Sequence, residues 1–210
     1  MQGKKLFDPR DHQVKIVTPE GKAMWASLET PKGFQGDDKE HFLCDILLTE
    51  EEAQPIIDTI TGIQEKILDM CGKDDKNMAV ARTNPWKTND IDERVPAGFV
   101  QFKTKRRAFP ENGNKPATPP VPTYVDGKKI DWDAVDYQVG NGSLIQIGCA
   151  ATPYYVPSIG LGVTLQLQAV KVLELQKYVA GGASDDFDSE FADGTQTTVS
   201  AATETDDDPF

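Results

Sequence analysis

The chain has 210 residues, 22 lysines and arginines against 34 aspartates and glutamates, and a net charge of −12. That charge is uneven: residues 179–210 hold nine acids and no base, which leaves −3 on the first 178 residues. A uniformly acidic body is therefore excluded, and the sequence reads as a nearly neutral domain over residues 1–178 followed by an anionic tail over 179–210.

The apolar stretches are short and interrupted, so no membrane span is expected. The N-terminus lacks an apolar leader, so no secretory signal is expected. Cys44, Cys71 and Cys149 are odd in number and far apart. Neither a disulfide framework nor a zinc site is predicted, and a reducing cytoplasm fits. The two histidines have no metal-ligand spacing, so no metal or other cofactor is expected.

Residues 22–30 read as a strand, with Met24, Ala26 and Leu28 on one face and Ala23, Trp25, Ser27 and Glu29 on the other. Residues 41–48 read as a second strand, with Phe42, Cys44, Ile46 and Leu48 facing one way. Thr49-Glu50-Glu51-Glu52 has the form of a capping box, although Pro55 could move the regular helix start toward itself. Ile56, Ile60, Ile63, Ile67 and Met70 form one helical stripe, and Gly72 reads as its stop.

Residues 73–97 are polar and irregular. Residues 99–109 look like a strand that runs into a loop. Five prolines between 110 and 123 predict an extended loop. Asp126-Gly127 is a hairpin-turn signal. Residues 143–151 and 161–175 read as the last two strands. In the second, the inward phase shifts by one residue between Ala169 and Val170, which predicts a bulge. Gly181-Gly182 marks the linker to the tail. The tail is rich in Asp, Ser, Thr and Ala and is expected to be disordered. Many short strands with one helix predict a mainly β chain. The expected fold is an OB-fold, a five-stranded Greek-key barrel, with a Pro-rich loop insertion.

Residues 98–129 carry seven bases and two acids, whereas residues 36–75 carry three bases and twelve acids. Within the basic segment, Phe99, Gln101, Lys103, Lys105 and Arg107 share one face of a strand, while Val100, Phe102 and Thr104 share the other. Cations with a neighbouring aromatic suit a nucleic-acid backbone and its bases. The competing reading is an edge strand whose lysines block aggregation. Trp25, Phe34, Trp86, Tyr124, Tyr154 and Tyr155 lie beside Pro, Gly or basic residues. Either they stack on bases or they cover the core. Trp132 and Tyr137 lie among aspartates and read as structural. The tip, Asp206-Asp207-Asp208-Pro209-Phe210, offers a ring and an α-carboxylate side by side, which suits an apolar pocket with a basic rim.

These residues resemble bacteriophage single-stranded DNA-binding proteins of the short-tailed coliphage type. The resemblance rests on Pro153-Tyr154, Val163-Thr164-Leu165-Gln166-Leu167, Val172-Leu173-Glu174-Leu175, Gly181-Gly182 and the acidic tail ending in Phe. Phe102-Lys103-Thr104-Lys105 and Pro85-Trp86 are similar to further family elements. The resemblance implies an OB-fold that binds single-stranded DNA without sequence preference. It also implies a tail that contacts replication proteins (polymerase, primase or helicase), competes with DNA for the cleft and supports dimers. The tip itself is similar to that of bacterial single-stranded DNA-binding proteins, without their Ile, and so points to host tail-binding pockets as well. On this reading the protein works in the cytoplasm of an infected bacterium, in DNA replication, recombination and repair. Arg82, Lys87, Lys103, Lys105 and Arg107 would track phosphates. Trp25, Trp86, Phe99, Tyr124, Tyr154 and Tyr155 would stack bases.

Two other classes compete. An acidic protein-binding module, such as a DNA mimic or assembly factor, would use the acids of residues 36–75, but it leaves the basic strand unexplained. An enzyme is not expected, since no phosphate-binding loop, nucleophile elbow or zinc-protease motif occurs.

Overall fold

The computed structural model describes residues 6–33, 39–71, 78–112 and 116–178 of the chain. In chain order the strands are β1 (Val14–Val17), β2 (Gly21–Gly33), β3 (Glu40–Thr49), β4 (Trp86–Thr88), β5 (Phe99–Arg107) and β6 (Thr123–Val125). They continue with β7 (Lys128–Lys129), β8 (Gln138–Val139), β9 (Leu144–Val156), β10 (Gly160–Glu174) and β11 (Lys177–Tyr178). One helix, α1 (Glu50–Cys71), follows β3, and two short 3-10 turns cover Pro9–His12 and Trp132–Ala134. The predicted stop Gly72, the aromatic Phe34, the Gly181-Gly182 linker and the tail with Asp206, Asp207, Asp208, Pro209 and Phe210 lie outside the described residues.

Five strands close a ring. β2 pairs antiparallel with β3, β3 with β5, β9 with β10 and β2 with β9, while β5 pairs with β10 in parallel. The ring order β2-β3-β5-β10-β9 is the Greek-key barrel expected of an OB-fold. Inside it lie Phe42, Cys44, Ile46 and Leu48 from β3, Val100 and Phe102 from β5, and Leu161, Val163, Leu165 and Leu167 from β10, all buried. The bulge expected in the last long strand is present as a register shift between Leu167 and Ala169.

The helix begins at Glu50. Thr49 N–H donates to Glu52 Oε2 at 3.1 Å, and Glu52 N–H donates back to Thr49 Oγ1 at 3.4 Å, so the capping box forms. Pro55 lies within the helix rather than at its start. Glu51, whose carbonyl this proline leaves without a donor, is exposed, so water can satisfy it. Ile56, Ile60, Ile63 and Ile67 are buried and pack the helix against the barrel, each burial worth about 1.5–3 kcal/mol. Met70, expected on the same stripe, is exposed, and Cys71 takes the inner position.

Two further expectations change. In β2 the register shifts between Met24 and Ser27, so the simple alternation of residues 22–30 does not hold. Ala23 and Leu28 are both buried because the bulge reverses the phase between them. Tyr154 and Tyr155, beyond the strand expected over residues 143–151, lie in β9, which runs on to Val156. The β1 ladder stops at the Val14–Ala151 pair and, among the described residues, no strand continues it, so Pro153 fits without breaking a ladder there.

Candidate nucleic-acid interface

The alternation expected for β5 holds. Val100, Phe102 and Thr104 are buried, while Lys103, Lys105 and Arg107 are exposed on the outer face. None of these three cations forms an ion pair among the described residues. Gln101, on the same outer face, is buried because β4 lies across from it, with Lys87 as its register partner.

The neighbouring strands extend this face. β10 places Gln166 beside Lys105, and β9 pairs Thr152 with Thr164 and Tyr154 with Gly162. A Cβ at position 162 would overlap the Tyr154 ring, so glycine is what lets the ring lie across β10. Gln13 Nε2 donates to Thr152 Oγ1 at 2.7 Å and ties the N-terminal segment to the same surface. Between them opens a cleft of about 710 Å³ lined by Asp8, Pro9, Arg10, Gln13, Thr152 and Gln166.

At the other end of the stripe, Arg107 lies over the ring of Phe109 at 4.7 Å. Phe109 is 55% exposed. Its backbone is fixed on both sides by Thr118: Phe109 N–H donates to Thr118 Oγ1, and Thr118 N–H donates to the Phe109 carbonyl, both at 2.9 Å. Arg106 Nη2 donates to the Pro119 carbonyl, so the Pro-rich loop is folded back along the strand end. His41, the ladder partner of Arg107, is 9% exposed, and its Nδ1 has no hydrogen-bond partner among the described residues. The sequence reading missed Phe109, although Arg107 and Phe109 continue the same every-second-residue pattern.

One acid sits in the middle of the stripe. Asp45 is the ladder partner of Lys103 and accepts from Gln101 Nε2 at 2.6 Å. It is 8% exposed. Burial raises its carboxyl from the ordinary 3.8 to about 6, against the pull of Gln101, Lys103 and Lys87. The same strand pair buries the Cys44 thiol and pushes its ionisation upward. All three cysteines are buried, so none is poised as a nucleophile.

The remaining candidates separate into groups. Trp86 and Tyr155 pack on the core, and Trp86 lies 6.3 Å from the Phe102 ring. Lys87 is held by Asp92 at 2.6 Å, and Arg94 shares the same carboxylate at 2.8 Å. Phe99 is half-buried at the start of β5. Arg82 is exposed, just past Val80, which bridges to Leu161 at the head of β10.

Trp25 stands apart on β2. It is 56% exposed and has φ of 53°, left-handed for a non-glycine residue. Asn141 Oδ1 accepts from its N–H at 2.8 Å and stabilises the strained turn. Tyr124 lies on the β6–β7 hairpin, away from Lys103. Trp132 packs on the core, and Tyr137 carries Lys177 over its ring at 4.8 Å, in line with the structural roles expected.

No family model matches the sequence, and no curated protein matches it. Solved structures do. The crystal structure of gp2.5, a single-stranded DNA binding protein encoded by bacteriophage T7, has a TM-score of 0.63 at 20% identity, covering 91% of this chain and 100% of that one. The chain shares the fold of this phage protein. The single-stranded DNA-binding protein of bacteriophage Enc34, as a C-terminal truncation, has a TM-score of 0.53 at 10% identity over 80% of this chain and 88% of its own. The same Enc34 protein in complex with single-stranded DNA gives 0.52 at 11% identity, over 80% and 89%. Among the described residues no helix is long and apolar enough to cross a membrane, and no cluster of His, Cys, Asp or Glu is arranged to hold a metal ion.

Proposed function

We propose that this chain binds single-stranded DNA without sequence preference and serves phage DNA replication and recombination. The observation that carries the reading is the stripe Lys103, Lys105 and Arg107 on the outer face of the barrel, without an ion pair among the described residues, with the ring of Phe109 under Arg107 and that of Tyr154 on the outer face of β9. OB barrels use this face, made by their second and third strands, for oligonucleotides. Here those strands are β3 and β5.

The physics is simple. Each phosphate taken up by a cation of the stripe releases condensed counterions, and this drives binding at low salt. Each base stacked on Tyr154, Phe109 or Trp25 adds about 1–3 kcal/mol. Every base has a flat face, so stacking does not select a sequence. No catalysis is required, because binding the open strand shifts the melting equilibrium by mass action. The fold neighbours, named as single-stranded DNA-binding proteins, support the same reading.

The tail completes the proposal. Its nine acids and no bases make it a competitor for a cationic face at high effective concentration. Its tip, Asp206 to Phe210, would recruit replication proteins, and tail exchange between copies would support a dimer. The test compares single-stranded and duplex DNA at low salt, with full-length protein and with residues 183–210 deleted. The expected result is preference for the single strand, tightened by the deletion. Equal affinity for duplex and single strand would overturn the binding reading, and an unchanged affinity on deletion would overturn the role of the tail.

A further inference from the structure

One edge of β10 is lined in parallel by two separate segments. β5 runs beside it at the Thr104–Leu165 and Lys105–Gln166 pairs, and β6 runs beside it from Thr123–Val170 to Val125–Val172. β6 therefore takes up the line that β5 leaves, after the excursion of the Pro-rich loop. The phase is kept as well. Thr104, Thr123, Leu165, Val170 and Val172 face the core, so Lys103, Lys105 and Tyr124 all face outward.

Beyond the barrel the line widens into a row. Tyr124 pairs on one side with Lys171 and on the other with Lys129, and Lys171 pairs onward with Gln146. Lys129, Tyr124 and Lys171 are exposed and stand abreast, a ring between two ammonium groups. The row contains no carboxylate, and neither lysine forms an ion pair among the described residues. Asp126 and Gly127, with φ of 51° and 74°, close the hairpin in a tight type I′ turn, so the row sits on a stiff ribbon.

We propose that the β6–β7 hairpin is a second single-stranded DNA subsite, in which Lys129 and Lys171 hold phosphates on either side of a base stacked on Tyr124. The proposal rests on the binding reading above and extends it along β10. From the level of Lys105 to that of Tyr124 the separation is five residues of β10, roughly 17 Å at strand rise. A short oligonucleotide on the β3–β5 face would not reach the hairpin, and a long one would engage both.

The experiment measures binding of a short and a long oligothymidine by wild type and by Lys129→Gln/Lys171→Gln, with thermal melting to confirm that the variant is folded. Affinity for the short strand should stay unchanged. Affinity for the long strand should fall about tenfold at low salt, and its log–log salt slope should become shallower by about 1.4, or 0.7 per lost phosphate contact. Tyr124→Ala should likewise weaken only the long strand. Equal losses on both lengths, or none on either, would overturn the subsite. Failure of wild type to bind either strand would instead overturn the binding reading itself.

Discussion

Helix α1 and strand β5 lie on one barrel and carry opposite surfaces. The segment around the helix has twelve acids against three bases, whereas the segment around the strand has seven bases against two acids. The acids of α1 lie on its outer side and leave an inward stripe that is apolar except for Gln64, whose amide donates to the Leu161 carbonyl. The cations of β5 also lie outward, but a ring lies under Arg107 at Phe109, and the Tyr154 ring lies across β10 on the same outer face. The difference teaches that a net charge of −12 says little about the partner. Screening confines each charge to about 10 Å at moderate salt, so a ligand meets a face and not a total.

The sharpest way to break this contrast is to reverse each surface in turn. Replacing Lys103, Lys105 and Arg107 by Glu should lower affinity for oligothymidine by roughly a hundredfold or more at low salt. Replacing the exposed Glu51 and Glu65 by Lys should leave that affinity within about threefold, because exposed charges away from the ligand are screened. Comparable losses from both reversals would show that the two surfaces are not distinct in function.

The next effect concerns the rings. Tyr154→Ala should weaken binding about tenfold, within the range of one stacked base. Gly162→Ala should approach the same loss with little change in melting temperature, since the added methyl meets the far end of a movable tyrosine and not backbone. If Gly162→Ala binds like wild type, the ring of Tyr154 does not act from this position.

A pH effect follows from Asp45. Its carboxyl ionises near 6 in the fold and near 3.8 ordinarily, so the folded state holds a proton that the unfolded chain has lost. This group therefore favours folding most below about pH 4, and the contribution fades as pH rises through 6. By pH 7 this group makes folding less favourable than at acid pH by about 3 kcal/mol, the equivalent of the shift. Asp45→Asn should stabilise the protein at pH 7, flatten this part of the pH profile and modestly tighten DNA binding beside Lys103. Circular-dichroism melts from pH 4 to 8 would show it.

The smallest effect is on the helix side. Thr49→Ala removes the cap and should cost about 1 kcal/mol of stability with no change in DNA affinity.

Much of this arrangement was legible from residue order. The β5 alternation, the capping box, the Asp126-Gly127 turn and the bulge near Gln168 each depend on a local pattern, and each formed as expected. What failed depends on neighbours distant in sequence. The phase of β2 reverses at Trp25 because Asn141, over a hundred residues away, holds its N–H. Tyr154 and Tyr155 became strand residues, one outward over Gly162 and one inward, through pairing with β10. Lys87 looked like a free cation, but Asp92 holds it across a loop. Asp45 gave no signal at all, because the partner that meets its carboxylate, Gln101, comes from another strand over fifty residues away. The joining of β5 and β6 along one edge of β10 is likewise invisible without the register.

The most direct test of the central claim is the salt dependence of oligothymidine binding, measured for wild type and for Lys103→Gln/Lys105→Gln/Arg107→Gln. If the stripe takes up phosphates, the slope of log K against log salt should be shallower in the variant by about 2, or 0.7 for each of the three contacts. Parallel slopes, whatever the absolute affinities, would mean that DNA does not lie on this face.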